Sequence, residues 1–209
     1  MSIQPKLLVV LTSQDNLPTR KNTKTGWYLS EFVHPYNALA PFVEIVVASP
    51  KGGEAPLDPF SVADSQDDKE SMKFFNEKHG SPAMFDLAVD EVSQALIREF
   101  YESGKIVSAV CHGPGALVNA KLSDGEYLVK GQEVTGFSNA EEDAYQFTDA
   151  MPFLLENELK NHGGNYFKAN ELFGVKVAVS GKGGRLITGQ NPPIAGVIGN
   201  VLLEAIRKL

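Results

Sequence analysis

The chain has 209 residues, enough for one substantial core, and its 43% hydrophobic and 22% charged content is ordinary for a globular protein. A formal charge of −7 argues against a nucleic-acid partner, since phosphate binding needs a basic face, and a single cysteine excludes a disulfide-stapled secreted scaffold. A reducing, cytoplasmic setting fits that cysteine count. No membrane partner is expected, because the longest apolar run, Leu7 to Leu11, is far short of the roughly 20 residues a bilayer requires and no signal sequence is evident.

In chain order, Lys6 to Thr12 reads as a buried strand and Ser13 to Thr25 as a loop of turn formers. Gly26 to Ala40 has helical spacing at Trp27, Phe32, Val33 and Leu39, with Pro35 expected to end or kink it after its second turn. Val43 to Ala48 is a second buried strand, completing a βαβ unit of a parallel sheet. From Pro50 to Lys105 there are helix signals but no strand. Asp67 to Lys78 is a polar helix, and Phe85 to Ser103 an amphipathic one with Leu87, Val89, Val92, Leu96 and Phe100 inward. A doubly wound sheet would place a strand between them.

Lys105 to Val110 is a third buried strand, running into Cys111-His-Gly-Pro-Gly115 and a helical Ala116 to Ala120. Tyr127 to Phe137 alternates as a hairpin or short strand pair. Glu141 to Gly163 is helical in two pieces, with Pro152 fitting a helix start. Val175 to Val179 and Arg185 to Thr188 are strands joined by Gly181-Lys-Gly-Gly184, which lacks the spacing of a phosphate loop. Pro193 to Lys208 is the closing helix. No linker divides the chain, so residues 1–209 read as a single domain.

Cys111 lies where a buried strand meets a helix start, a place whose free N–H groups and helix dipole favour a thiolate nucleophile. Glycines at 113 and 115 allow the sharp turn of a nucleophile elbow. His34, His79 and His162 have no metal-ligand spacing, so no metal is expected.

Ala109-Val-Cys-His-Gly-Pro114 resembles the elbow of the ThiJ/PfpI superfamily, and more narrowly of its heat-shock-type, glutathione-independent glyoxalases. Thr25-Gly-Trp-Tyr-Leu-Ser-Glu31-Phe-Val-His-Pro35, Val134-Thr-Gly-Phe-Ser-Asn-Ala-Glu-Glu142 and Gly184-Arg-Leu-Ile-Thr-Gly-Gln-Asn-Pro192 carry the same resemblance. It implies an α/β, flavodoxin-like three-layer sandwich with a mostly parallel sheet. The family also has a central strand ahead of Phe85-Asp-Leu87, ending in a Gly-Gly-His-Gly-like turn that supplies an oxyanion donor. Asn76-Glu-Lys-His-Gly-Ser-Pro-Ala-Met-Phe85 stands there instead, so one central strand is expected to be missing.

The resemblance further implies conversion of methylglyoxal and similar 2-oxoaldehydes to D-lactate without a cofactor. Cys111 would be the nucleophile, His112 the neighbouring base, Glu142 the acid orienting it and Glu31 a buried proton shuttle. A homodimer, and a nuclear as well as cytoplasmic location, belong to the same expectation. Read without the resemblance, Glu31 is an exposed helix residue, Glu142 part of a solvated acidic helix start and His112 a core histidine. A stress-response chaperone, a cysteine redox sensor and an amide hydrolase remain alternatives on this fold.

Overall fold

The computed structural model describes residues 4–53, 55–75 and 86–209. The run Asn76 to Phe85 that stands in place of the expected strand, with His79, lies outside the described residues. The elements are β1 (Lys6–Val10), α1 (Leu29–Leu39), β2 (Glu44–Ala48), α2 (Pro59–Asp64), α3 (Lys69–Phe75), α4 (Glu91–Glu102) and β3 (Val107–Val110). They continue with β4 (Glu133–Val134), α5 (Asn139–Ala144), α6 (Leu155–Asn161), β5 (Asn165–Tyr166), β6 (Val177–Ser180), β7 (Leu186–Gly189) and α7 (Ala195–Ile206). This is the α/β architecture of the flavodoxin-like class. Among the described residues, no helix is long and apolar enough to cross a membrane.

The sheet is interrupted. β1 pairs in parallel with β2 alone, while β3 pairs in parallel with β7, and β7 antiparallel with β6. Among the described residues no strand lies between β2 and β3 in the chain. A cavity of about 590 Å³ runs between β1 and β3, lined along residues 7–11 and 106–111. Leu96 and Phe100 of α4 line it too, as do Phe32 and Leu39 of α1. Helices α1 and α4 thus line the space between β1 and β3, where among the described residues no strand is paired.

Several local expectations are corrected. α1 continues through Pro35 to Leu39, although proline removes one helical N–H. Its buried Leu29, Val33 and Leu39 hold it by tertiary packing, and α7 approaches closely at Gly199, where a Cβ would stand 3.0 Å from Ala38 Cβ and 3.1 Å from Pro35 Cα. β2 is an exposed strand with Val46 and Val47 outward, not a buried one, because nothing pairs with its outer edge among the described residues.

The amphipathic helix begins at Glu91, where Asp90 caps it by accepting from the Ser93 N–H at 2.7 Å. Val89 therefore precedes the helix and Val92 lies in its first turn, and both face solvent (69% and 75% exposed), while Leu96 and Phe100, one and two turns on, face the cavity. Residues 113–116 form a single 3₁₀ turn, with only turns following to Asn119. The alternation at 127–137 is not a hairpin either: β4 pairs in parallel with β5, more than 30 residues further on. The acidic stretch from Glu141 does break into two helices, but α6 starts at Leu155, so Pro152 lies ahead of its first turn.

Candidate active site

Cys111 ends β3 with φ at +58°, the left-handed region, which costs a non-glycine residue on the order of 1–2 kcal/mol. The turn is held from both sides. The Cys111 N–H donates to Gly189 O on β7 at 3.0 Å, and its carbonyl accepts from the Phe137 N–H at 2.9 Å. The expected elbow is therefore present, and it carries the thiol into the end of the cavity.

His112 follows directly. Its Nδ1 lies 3.4 Å from Cys111 Sγ, and its Nε2 donates to Glu142 Oε1 at 2.7 Å. The Phe137 ring packs on the imidazole with centroids 4.5 Å apart. Burial pulls the His112 pKa down, but the Glu142 carboxylate more than offsets this, and the net shift is upward.

Glu142 is fully buried on α5, whose first turn is built as a capping box. Glu141 Oε2 accepts from the Ser138 N–H at 2.8 Å and the Ser138 hydroxyl at 2.7 Å. Its Oε1 accepts from Gln190 Nε2 at 3.0 Å and Asn191 Nδ2 at 2.7 Å. Sequence reasoning missed this network, although Ser138-Asn-Ala-Glu141 is a legible capping-box pattern. It places Glu142 in a buried interior and overturns the solvated-helix reading of the acidic pair.

Glu31 reaches the thiol from the first turn of α1. The chain entering that helix is pinned by Gly26. A Cβ there would sit 2.0 Å from Leu57 C, because Trp27 N–H donates to Pro56 O and Asp58 N–H to Trp27 O in the adjoining bridge. Burial raises the Glu31 pKa to about 7, with the Cys111 thiol hydrogen bond and the His112 charge pulling the other way. Its Oε1 is buried with no hydrogen-bond partner among the described residues. The exposed-helix reading is thereby overturned.

The thiolate expectation is also corrected. Burial pushes the Cys111 thiol well above its ordinary range, and the Glu31 and Glu142 charges push it further. One four-residue 3₁₀ turn offers too little dipole to reverse that. The resting site thus holds a neutral thiol donating to Glu31, which can accept the proton when the sulfur attacks.

Two tyrosines went unnoticed in the sequence because nothing in local spacing marks them. Tyr28 and Tyr145 both line the cavity beside Cys111, and the Tyr28 hydroxyl donates to Asp64. Burial raises the pKa of each, so both remain neutral hydroxyl donors. Asp58, at the start of α2, also faces His112 across the cavity, its pKa raised by burial. Among the described residues, no group of three His, Cys, Asp or Glu side chains is arranged to hold a metal ion.

The chain is 28% identical to glyoxalase 3 of Candida albicans, over 91% of this chain and 93% of that protein. That alignment runs over 225 positions, more than the 209 residues present, so the relative carries residues this chain lacks. A probable glutathione-independent glyoxalase of Schizosaccharomyces pombe is 35% identical over 56% of this chain, and the match spans 46% of that protein, less than half its length. The crystal structure of glyoxalase III from Candida albicans superposes with a TM-score of 0.85, at 25% identity, covering 97% of each chain. The DJ-1/PfpI family model matches residues 80–204, more than half of the chain, which therefore belongs to the DJ-1/PfpI family.

Proposed function

We propose that this protein converts methylglyoxal and similar 2-oxoaldehydes to D-lactate without glutathione. The observation that carries the reading is the line of side chains Glu31, Cys111, His112 and Glu142, in contact at the end of one cavity. The kinship with glyoxalases supports it.

The steps follow from the protonation states. Cys111 sulfur adds to the aldehyde carbon while its proton passes to Glu31, and the carbonyl oxygen gains a proton to give a hemithioacetal. Glu31 and His112 then relay two protons, the C–H proton of the former aldehyde carbon to the neighbouring carbonyl carbon and the hemithioacetal O–H proton to that neighbour's oxygen, leaving a lactoyl thioester. Water attacks that thioester, returning the thiol and releasing lactate. Glu142 keeps the imidazole oriented and compensates its positive charge. The neutral Tyr28 and Tyr145 hydroxyls are suited to hydrogen-bond the substrate oxygens.

The test is lactate formation from methylglyoxal without added thiol, on wild-type and Cys111→Ala protein of verified folding. The reading predicts a loss of about 10³-fold or more in the variant. A well-folded wild type that forms no lactate would refute it and leave a chaperone role on the same fold. A peroxide sensor is disfavoured, because sulfenic acid formation proceeds from an accessible thiolate and Cys111 is buried with a raised pKa. We assign the enzyme a single domain, a cytoplasmic and nuclear setting and a homodimeric state. The exposed apolar edge of β2 supports the last of these.

A further inference from the structure

We infer that the interrupted sheet is a binding slot for an extended apolar peptide, which would enter between β1 and β3 as an added parallel strand. This goes beyond the aldehyde chemistry and does not depend on it.

The argument rests on where the backbone groups of the two strands point. In β1 the Leu11 N–H donates to Ala48 O and Pro5 O accepts from the Glu44 N–H, so the odd-numbered residues turn their backbone toward β2. Parallel alternation then turns the N–H and C=O groups of Leu8 and Val10 the opposite way. In β3 the Val107 and Cys111 N–H groups donate to Arg185 O and Gly189 O on the β7 side, which turns Ser108 and Val110 away from it. Leu8, Val10, Ser108 and Val110 all line the same cavity, and among the described residues none has a backbone partner on that side. Two open ladder edges thus share one space.

What fits there must satisfy both edges. An alkyl chain would match the apolar walls but leave the N–H and C=O groups of those four residues unpaired and dry, which is costly. A peptide backbone presents alternating donors and acceptors to both sides. About five residues of extended chain, roughly 17 Å, match the length of β1. Phe32 and Leu39 of α1 and Leu96 and Phe100 of α4 all line the slot, so the side chains of its occupant should be apolar throughout. β3 runs directly into Cys111, so a peptide parallel to it would bring its own C-terminal end toward the thiol.

The probe is a Val/Ile pentapeptide with a dilysine leader and a fluorescent label, titrated by anisotropy against wild-type protein. Saturable binding is expected, weakened about tenfold or more when alternate peptide nitrogens are methylated. Amide hydrogen exchange at Leu8, Val10, Ser108 and Val110 should slow by about tenfold or more on binding. Ser108→Pro removes one slot-facing N–H while sparing the β3–β7 ladder, and should weaken binding similarly. The N-methyl series on wild-type protein decides the matter if that variant does not fold. The proposal is overturned by absence of saturable binding, or by N-methylated peptides binding as well as the parent. Displacement by dodecanol without any slowing of those four amides would equally overturn it, revealing a plain apolar cavity.

Discussion

The regions on the two sides of the gap obey different economies of satisfaction. On the β3–β7–β6 side, Phe137, Leu128, Leu155, Leu159 and Leu186 are essentially fully buried, and the buried Glu141 carboxylate has four hydrogen-bond donors. On the β1–β2 side the sheet has two strands and Val46 and Val47 face outward. α4, whose Ile97, Phe100 and Tyr101 pack on the β3-side core, contributes no fully buried residue itself. The candidate site straddles this divide. Cys111, His112 and Glu142 stand on the satisfied side, whereas Glu31 is delivered by α1 from the other. The comparison teaches that a reactive constellation can draw three parts from one side of an interrupted sheet and the fourth from a separate, well-packed helix, α1, on the other.

The largest expected effect lies on the satisfied side. Glu141→Ala strands the donors of Ser138, Gln190 and Asn191 in the interior and should cost about 3 kcal/mol or more in urea unfolding. Lactate formation should fall with it as Glu142 loses its place; a loss under about 1 kcal/mol would show that the two regions do not differ in this way.

Glu31→Gln addresses the other side, and its sign depends on pH. The folded pKa is about 7 against an ordinary 4.5, so the fold favours the protonated carboxyl. Wild-type stability from this group is fully present below pH 4.5 and is lost as pH climbs through about 7. The variant should therefore match wild type near pH 4 and exceed it at pH 8 by about 3 kcal/mol. Activity should drop about 10²- to 10⁴-fold, and the rising limb of the wild-type rate near pH 7 should vanish. A limb unchanged in the variant would assign that ionisation elsewhere.

A smaller effect is expected where the two sides are joined. Gly199→Val forces α7 away from Pro35 and Ala38 of α1 and should cost about 1–3 kcal/mol. If α1 is what carries Glu31 to the thiol, activity measured well below the melting temperature should fall more than that of a surface control. The smallest effect, within about 0.5 kcal/mol by thermal unfolding, is expected for Val92→Lys, since that side chain faces solvent.

Much of the site was legible because its parts sit in short, locally constrained segments. A buried strand running into Cys111-His-Gly-Pro could be read as an elbow, since strand, turn and glycine chemistry are all local. The absence of a strand signal between Ala48 and Lys105 is matched among the described residues, which carry no strand between β2 and β3. What failed were readings that depended on phase or partner. Val89 and Val92 were placed inward with Leu96 and Phe100, but Val89 precedes the helix and Val92 lies in its exposed first turn, and the pairing of β4 with β5 has no local signature. Pro35 was read as a break because the face of α1 that packs on α7 cannot be weighed from spacing alone.

By itself, then, the sequence determined the α/β class and the elbow at Cys111 through local pattern, while the candidate group of Glu31, His112 and Glu142 came from the motifs of the family resemblance. Tertiary structure alone decided their protonation. Burial keeps the thiol neutral and raises Glu31 to about 7, because desolvation and neighbouring charge exist only once distant segments are packed together. It also decided that β1 and β3 stand apart across a cavity with, among the described residues, no strand paired to either facing edge, a property of how the two strands are held and not of either segment alone.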